Sequence, residues 1–221
     1  MSITSQIEKI VSSLEGKADL VVVSKTYPVE DLEVAYATGE RRFGESRPQE
    51  MTAKYNSLPQ DIEWHMIGHL QRNKVRMIAP YVSMIESVDS LRLAEAIEVE
   101  AARCERVIDC LLEIHVAQEQ SKTGWKYEEL LQFVQSGGFD HMTHIRWRGV
   151  MGIASNTYEE GVVRSDFNLL RKHKEELAQF FTEDFDTLSM GMSHDYMLAV
   201  ECGSTSVRVG SKIFGARDYS K

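Results

Sequence analysis

Eight short apolar or β-branched runs recur along this chain, each separated from the next by a stretch with helical spacing, and this alternation constrains the fold more than any other feature. The runs lie near Leu20–Lys25, Arg42–Ser46, Trp64–Gly68, Met84–Asp89, Cys110–Val116, Ile145–Ile153, Thr187–Met192 and Ser206–Gly215. In the intervals, Ala94, Ile97, Ala101 and Cys104 follow helical spacing, as do Phe167, Leu170, Leu177 and Phe180. A helical crossover returns the chain to the same edge of a sheet, so strands joined this way pair in parallel. Eight such units close a (β/α)8 TIM-like barrel, and an α/β barrel is the expected fold class. An open Rossmann-like sheet is the competing arrangement. It is advertised by a glycine-rich first turn, whereas the first turn here reads Lys25-Thr26-Tyr27-Pro28.

Ahead of the first run, Ile3, Ile7, Ile10, Val11 and Leu14 share one helical face. Behind the last run, Ala216 to Lys221 are too few for an ordinary closing helix. An extra N-terminal helix is therefore expected to cover barrel surface that the short tail leaves open. No linker, repeat or low-complexity tract interrupts the 221 residues, and the whole chain, 1–221, is expected to form one domain.

Charge narrows the partners. There are 34 Asp and Glu against 25 Lys and Arg, a net charge of −9 without a basic stripe, so no nucleic-acid partner is expected. No apolar run approaches the ~20 residues of a membrane helix, and the N-terminus lacks the apolar core of a secretory signal. Cys104, Cys110 and Cys202 form no CxxC pair and fit free thiols in a reducing cytoplasm.

The candidate chemistry sits where strands end. Lys25 closes the run Leu20-Val-Val-Val-Ser-Lys25, and in a TIM barrel the C-terminal strand ends surround the active site. Barrel walls desolvate an amine placed there, which favours the neutral form that condenses with an aldehyde. A solvated lysine at a strand end is the competing reading. In the last run, alternation puts Arg208 and Gly210 on one face and Val207 and Val209 on the other. With the valines against the helices, Arg208 points into the barrel. Gly210 and Ser211 offer unobstructed backbone N–H groups and Ser193 a hydroxyl, in the region after strands 7 and 8 where TIM barrels commonly bind phosphate. Ordinary loop serines are the alternative.

Six ordered segments carry a resemblance across Ile3 to Ser220. They are Val23-Ser-Lys25-Thr26; Phe43-Gly-Glu-Ser46; Trp64-His-Met-Ile-Gly68 with Leu70-Gln-Arg-Asn-Lys74; Gly149-Val-Met-Gly-Ile153; Leu188-Ser-Met-Gly-Met-Ser193; and Val207-Arg-Val-Gly-Ser-Lys-Ile-Phe-Gly-Ala-Arg-Asp-Tyr219. With them the chain resembles the pyridoxal phosphate homeostasis proteins, a family related to the fold type III N-terminal barrel of alanine racemase. The resemblance implies that pyridoxal 5′-phosphate (PLP) is bound covalently as an internal aldimine at Lys25. It implies further that Ser193, Gly210 and Ser211 bind the phosphate, that Arg208 faces the pyridine nitrogen, and that Met151 lies close to the ring. Position 211 is more often threonine in the family, and at Ser46 the family usually has asparagine, which puts direct cofactor contact there in question.

Arginine stays protonated, so Arg208 donates a hydrogen bond to the ring nitrogen without transferring a proton, and a delocalised carbanion is disfavoured. The expected role is buffering or delivery of PLP, with PLP-dependent apoenzymes as candidate recipients and no efficient catalysis. The alternative is a single-domain PLP-dependent amino-acid racemase. Efficient alanine racemases add a tyrosine base from a C-terminal β-domain, and this sequence ends soon after Arg208. Lacking that domain's interface, the chain is expected to be monomeric. No metal is expected from His65 and His69 or from His141 and His144, which lack zinc-like companions. Lys74, Lys122 and Arg217 read as surface charges or anion contacts, and Glu95, Glu98 and Glu100 as a solvated helix face.

Overall fold

Strands form where the β-branched runs lie. β1 spans Asp19–Val23, β2 Arg42–Glu45, β3 Glu63–Met66, β4 Met84–Val88, β5 Ile108–Glu113, β6 Ile145–Met151, β7 Thr187–Met192 and β8 Ser206–Val209 in the computed structural model, which describes residues 2–119 and 123–215. The helices are α1 (Ile3–Leu14), α2 (Val29–Ala37), α3 (Pro48–Tyr55), α4 (Val75–Ile78), α5 (Leu91–Arg103), α6 (Tyr127–Gln135), α7 (Glu160–Ala178), α8 (Tyr196–Glu201) and α9 (Ser211–Phe214). Successive strands pair in parallel, and β8 returns to β1 to close the barrel, with Asp19 opposite Ser206 and Val22 opposite Val209. This TIM-like α/β barrel puts the end of the first strand beside the end of the last.

Alternation sorts the side chains into two cores. Leu20, Val22, Phe43, Trp64, Leu112, Leu188, Val207 and Val209 join the buried layer shared with the helices. Val21, Val23, Leu111 and Met151 are equally buried but stand outside that layer, on the barrel's inner face. Each fully buried aliphatic side chain contributes about 1.5–3 kcal/mol relative to exposure, so both faces of every strand favour closure. Gly149 shows how tightly the wall is built. At φ +146°, a Cβ there would lie 1.9 Å from the Thr187 carbonyl oxygen, so only glycine fits where β6 shifts register against β5.

The extra helix α1 packs against α2, α8 and α9 through buried Ile7, Ile10 and Leu14. The Ser2 hydroxyl accepts from the Ser5 N–H at 3.2 Å, an N-cap contributing about 1 kcal/mol.

Several boundaries differ from the sequence expectation. Val11 is off the buried face, at 43 % exposure, and Phe180 lies beyond α7, also exposed. The last strand stops at Val209, because Gly210 starts a turn of helix where the apolar run continues. Glu98 is no bystander on a solvated face: its carboxylate accepts from the Thr143 and His144 N–H groups and pairs with the His144 ring at 2.8 Å. Among the described residues no helix is long and apolar enough to cross a membrane.

Candidate functional site

Lys25 follows β1 in phase with the inward residues Val21 and Val23, and is half-buried in the turn from Ser24 to Tyr27. The turn is held from behind. The Lys54 ammonium, on α3 and 6 % exposed, donates to the Ser24 carbonyl at 2.8 Å and to the Glu45 and Glu50 carboxylates at 2.7 Å each. The Ser24 hydroxyl donates to Glu45 at 2.7 Å, and Glu50 accepts the Thr26 N–H at 2.5 Å. Thr26 has φ +70°, a left-handed conformation that a β-branched residue adopts only when its surroundings enforce it. Burial pushes the Glu45 carboxyl up despite Lys54. On the other side, the Tyr27 hydroxyl donates to the Gly215 carbonyl at 2.7 Å and its ring lies 4.5 Å from that of Phe214.

The barrel's inner face carries a buried polar chain. Arg208, 4 % exposed, donates through Nη1 to the Ser189 hydroxyl at 2.5 Å and through Nη2 to the Gly152 carbonyl at 3.0 Å. Ser189 donates to Glu86 Oε2 at 2.6 Å, and the His65 Nδ1 lies 2.7 Å from Glu86 Oε1. Burial alone would raise the Glu86 carboxyl, but His65, Arg208 and Ser189 together hold it below the usual carboxylate range. An ionised Glu86 assigns the proton to His65 Nδ1. Burial lowers the Arg208 guanidinium, and Glu86, Glu113 and Asp195 oppose that shift.

Above this chain, the rim after β7 and β8 converges. The Ser193 hydroxyl accepts the Gly210 N–H at 3.1 Å and the Lys212 N–H at 3.4 Å. Gly210 must be glycine, since a Cβ there would come within 2.8 Å of the Val23 carbonyl oxygen, one residue before the Lys25 turn begins. Ser211 is exposed beside it.

The structure therefore gathers most of the sequence-predicted residues. Lys25, Gly210 and Ser211 follow paired strands, Ser193 is bonded to Gly210, and Arg208 reaches the carbonyl next to Met151. Ser46 is half-buried beyond β2 and packs against Gly68, where a Cβ would lie 2.5 Å from the serine Cβ. Lys74 ends a short 3-10 turn, Arg72–Lys74, and Lys122 and Arg217 lie outside the described residues. Among the described residues no three His, Cys, Asp or Glu side chains converge as a metal site, and His69 pairs with Asp89 rather than with His65. Sequence reasoning missed Lys54, Glu86 and Ser189. Glu50 and Lys54 at i, i+4 on α3 were a visible signal; the other contacts join distant strands and left none.

The donor set suits an aromatic aldehyde phosphate. A hydroxyl and two amides meet at one point on the rim, a buried guanidinium lies within the barrel, and an amine stands at the adjoining strand end. The alanine racemase N-terminal domain family matches residues 1–218. A pyridoxal phosphate homeostasis protein of Pasteurella multocida (strain Pm70) is 36 % identical over 211 residues, covering 94 % of this chain and 90 % of the relative. Two solved structures of PipY from Synechococcus elongatus PCC7942 superpose closely. The form without PLP has a TM-score of 0.90 at 34 % identity, and the PLP-bound form 0.88 at 33 %; each covers 97 % of this chain and 100 % of PipY. Sequence and fold thus agree that the chain belongs to the pyridoxal phosphate homeostasis proteins, within the alanine racemase N-terminal domain family.

Proposed function

We propose that this chain binds PLP at the C-terminal mouth of its barrel and works in cellular PLP homeostasis, buffering the cofactor or delivering it to PLP-dependent apoenzymes, without efficient catalysis of its own. The observation that carries this is the β1–β8 seam, where Gly210 closes on the Val23 carbonyl beside the Lys25 turn and a buried arginine stands on the adjoining strand. The PLP-bound PipY structure and the names of the curated relatives support the same cofactor. The free thiols of Cys104, Cys110 and Cys202 fit a cytoplasmic location.

In this reading the bound cofactor supplies an aldehyde, and the Lys25 amine holds it as a Schiff base. Ser193, Gly210 and Ser211 grip the phosphate and Met151 packs against the ring, while Ser46, where the family usually has asparagine, lacks the amide that would extend a contact to the cofactor. Arg208 donates to the ring nitrogen but keeps its own proton, which restrains the electron-sink chemistry a carboxylate there would promote. The chain acts as one unit, and a monomer suffices for this role.

Absorption spectra of the purified chain with PLP, before and after borohydride, test the assignment when the reduced adduct is mapped. A yellow complex reduced onto Lys25 is expected, and Lys25→Ala abolishes it. A colourless mixture, or a label on another side chain, overturns the reading. Incubation with D- and L-amino acids in deuterated water tests the carrier role: α-proton exchange stays near background. Robust exchange that Lys25→Ala removes would make the protein a racemase.

A further inference from the structure

Four buried polar side chains run in line across the barrel interior, from His65 on β3 through Glu86 on β4 and Ser189 on β7 to Arg208 on β8. Their exposures are 6 %, 0 %, 0 % and 4 %. Ordinary barrel interiors are filled by branched apolar residues, so a desolvated charge pair here is a costly substitute unless something needs it. Both oxygens of Glu86 are committed, one to His65 and one to Ser189, and the carboxylate lies 3.7 Å from Arg208 Nη1. Neither Glu86 nor Ser189 reaches the rim where the phosphate donors meet. Apart from the His65 brace, their hydrogen bonds lead to the guanidinium.

We propose that Glu86 is a positioning residue for the cofactor ring: braced by His65 and coupled through Ser189, it fixes the Arg208 guanidinium and supplies its counter-charge. This rests on the preceding reading that Arg208 faces the ring nitrogen. Two of the guanidinium's donors are taken by Ser189 and Gly152, which sets its plane and rotation and leaves its other N–H groups to address a ring above. The counter-charge offsets the field that a bare buried cation would project onto the bound chromophore. The other charged groups in range are Glu113 from β5 and Asp195 from the segment after β7, so Glu86 is the carboxylate bridged to Arg208 through a hydrogen-bonded hydroxyl.

The test is an absorbance titration of the PLP-loaded protein against pH for the wild type, Glu86→Gln and Glu86→Asp, with cofactor release measured alongside. Glutamine preserves the shape and removes the charge. The uncompensated Arg208 field then disfavours a protonated chromophore, and the titration midpoint moves to lower pH by about one unit, a tenfold change in the proton equilibrium. Aspartate keeps the charge but not the length, and lies between wild type and glutamine. A midpoint unmoved in Glu86→Gln, or an aspartate variant more perturbed than the glutamine one, shows a packing role and overturns the proposal. Should Glu86→Gln not fold, Ser189→Ala decides it: cofactor release several-fold faster than wild type is expected, and an unchanged rate overturns the proposal. A wild-type protein that never turns yellow marks failure of the underlying PLP reading instead.

Discussion

Two zones of paired charge occupy the floor and the interior of the same barrel. At the N-terminal floor, Arg42 meets Asp19 at 2.6 Å and Glu63 at 3.2 Å, and Arg146 meets Asp109 at 2.6 Å; the arginine side chains are 38 % and 50 % exposed. In the interior, Arg208 and Glu86 are almost wholly withdrawn from solvent. The residue types are the same, but water is not. Floor pairs are screened and interchangeable with hydration, whereas an interior charge that loses its partner has nothing to replace it. His65 joins the zones, because it also lines the floor cavity. The contrast teaches that the barrel's fixed polar features are those cut off from water.

That contrast is open to measurement. Arg208→Ala strands Glu86 in the interior and is expected to lower unfolding free energy by about 3–5 kcal/mol. Arg146→Ala at the floor is expected to lower it by no more than about 1 kcal/mol. Equal losses in chemical denaturation would erase the distinction. Next in size is Lys54→Met, which keeps the stem but leaves Glu45 buried without its cation; about 3 kcal/mol is expected, with faster hydrogen exchange at the Thr26 amide. Unaltered exchange would free the Lys25 turn from its dependence on α3. The smallest effect sharpens the picture by sign. Burial raises the Glu113 carboxyl, with Thr123 donating to it at 2.7 Å. A raised folded value means that ionisation above the ordinary glutamate range, near ~4.3, works against the fold. Glu113→Gln should therefore melt slightly above wild type at neutral pH, and the gap should close as the pH falls below that range. A gap of opposite sign would place Glu113 among the residues the fold needs charged.

Much of this architecture was legible because a strand's pattern is local. Runs such as Leu20–Val23 and Val207–Val209 declare both their conformation and their inward face by alternation, and the Arg208 orientation followed from its valine neighbours. Ends were harder. Gly210 turns the chain into α9 while the apolar pattern continues, and nothing in the periodicity of Phe180 marks that α7 stops before it. The partners of the site were least legible. Glu86 and Ser189 are 103 positions apart, and Glu98 contacts His144 from 46 positions away, so only closure of the sheet reveals that these side chains meet. Ser46 and Lys54 show the same limit: motif position singled out the first, while the second, which holds the Lys25 turn, offered only its i, i+4 spacing from Glu50.

The seam between β1 and β8 has a consequence for how the protein comes to exist. Residues near the start of the chain and residues near position 210 are separate until the last strand is laid down, since Val22 finds Val209 only at closure. Such non-local pairing is slow to form and late in assembly. A chain still lacking β8 holds Lys25 but not Gly210 or Ser211 beside it, so under the proposed reading the two sides of the site meet only when the last strand pairs with the first.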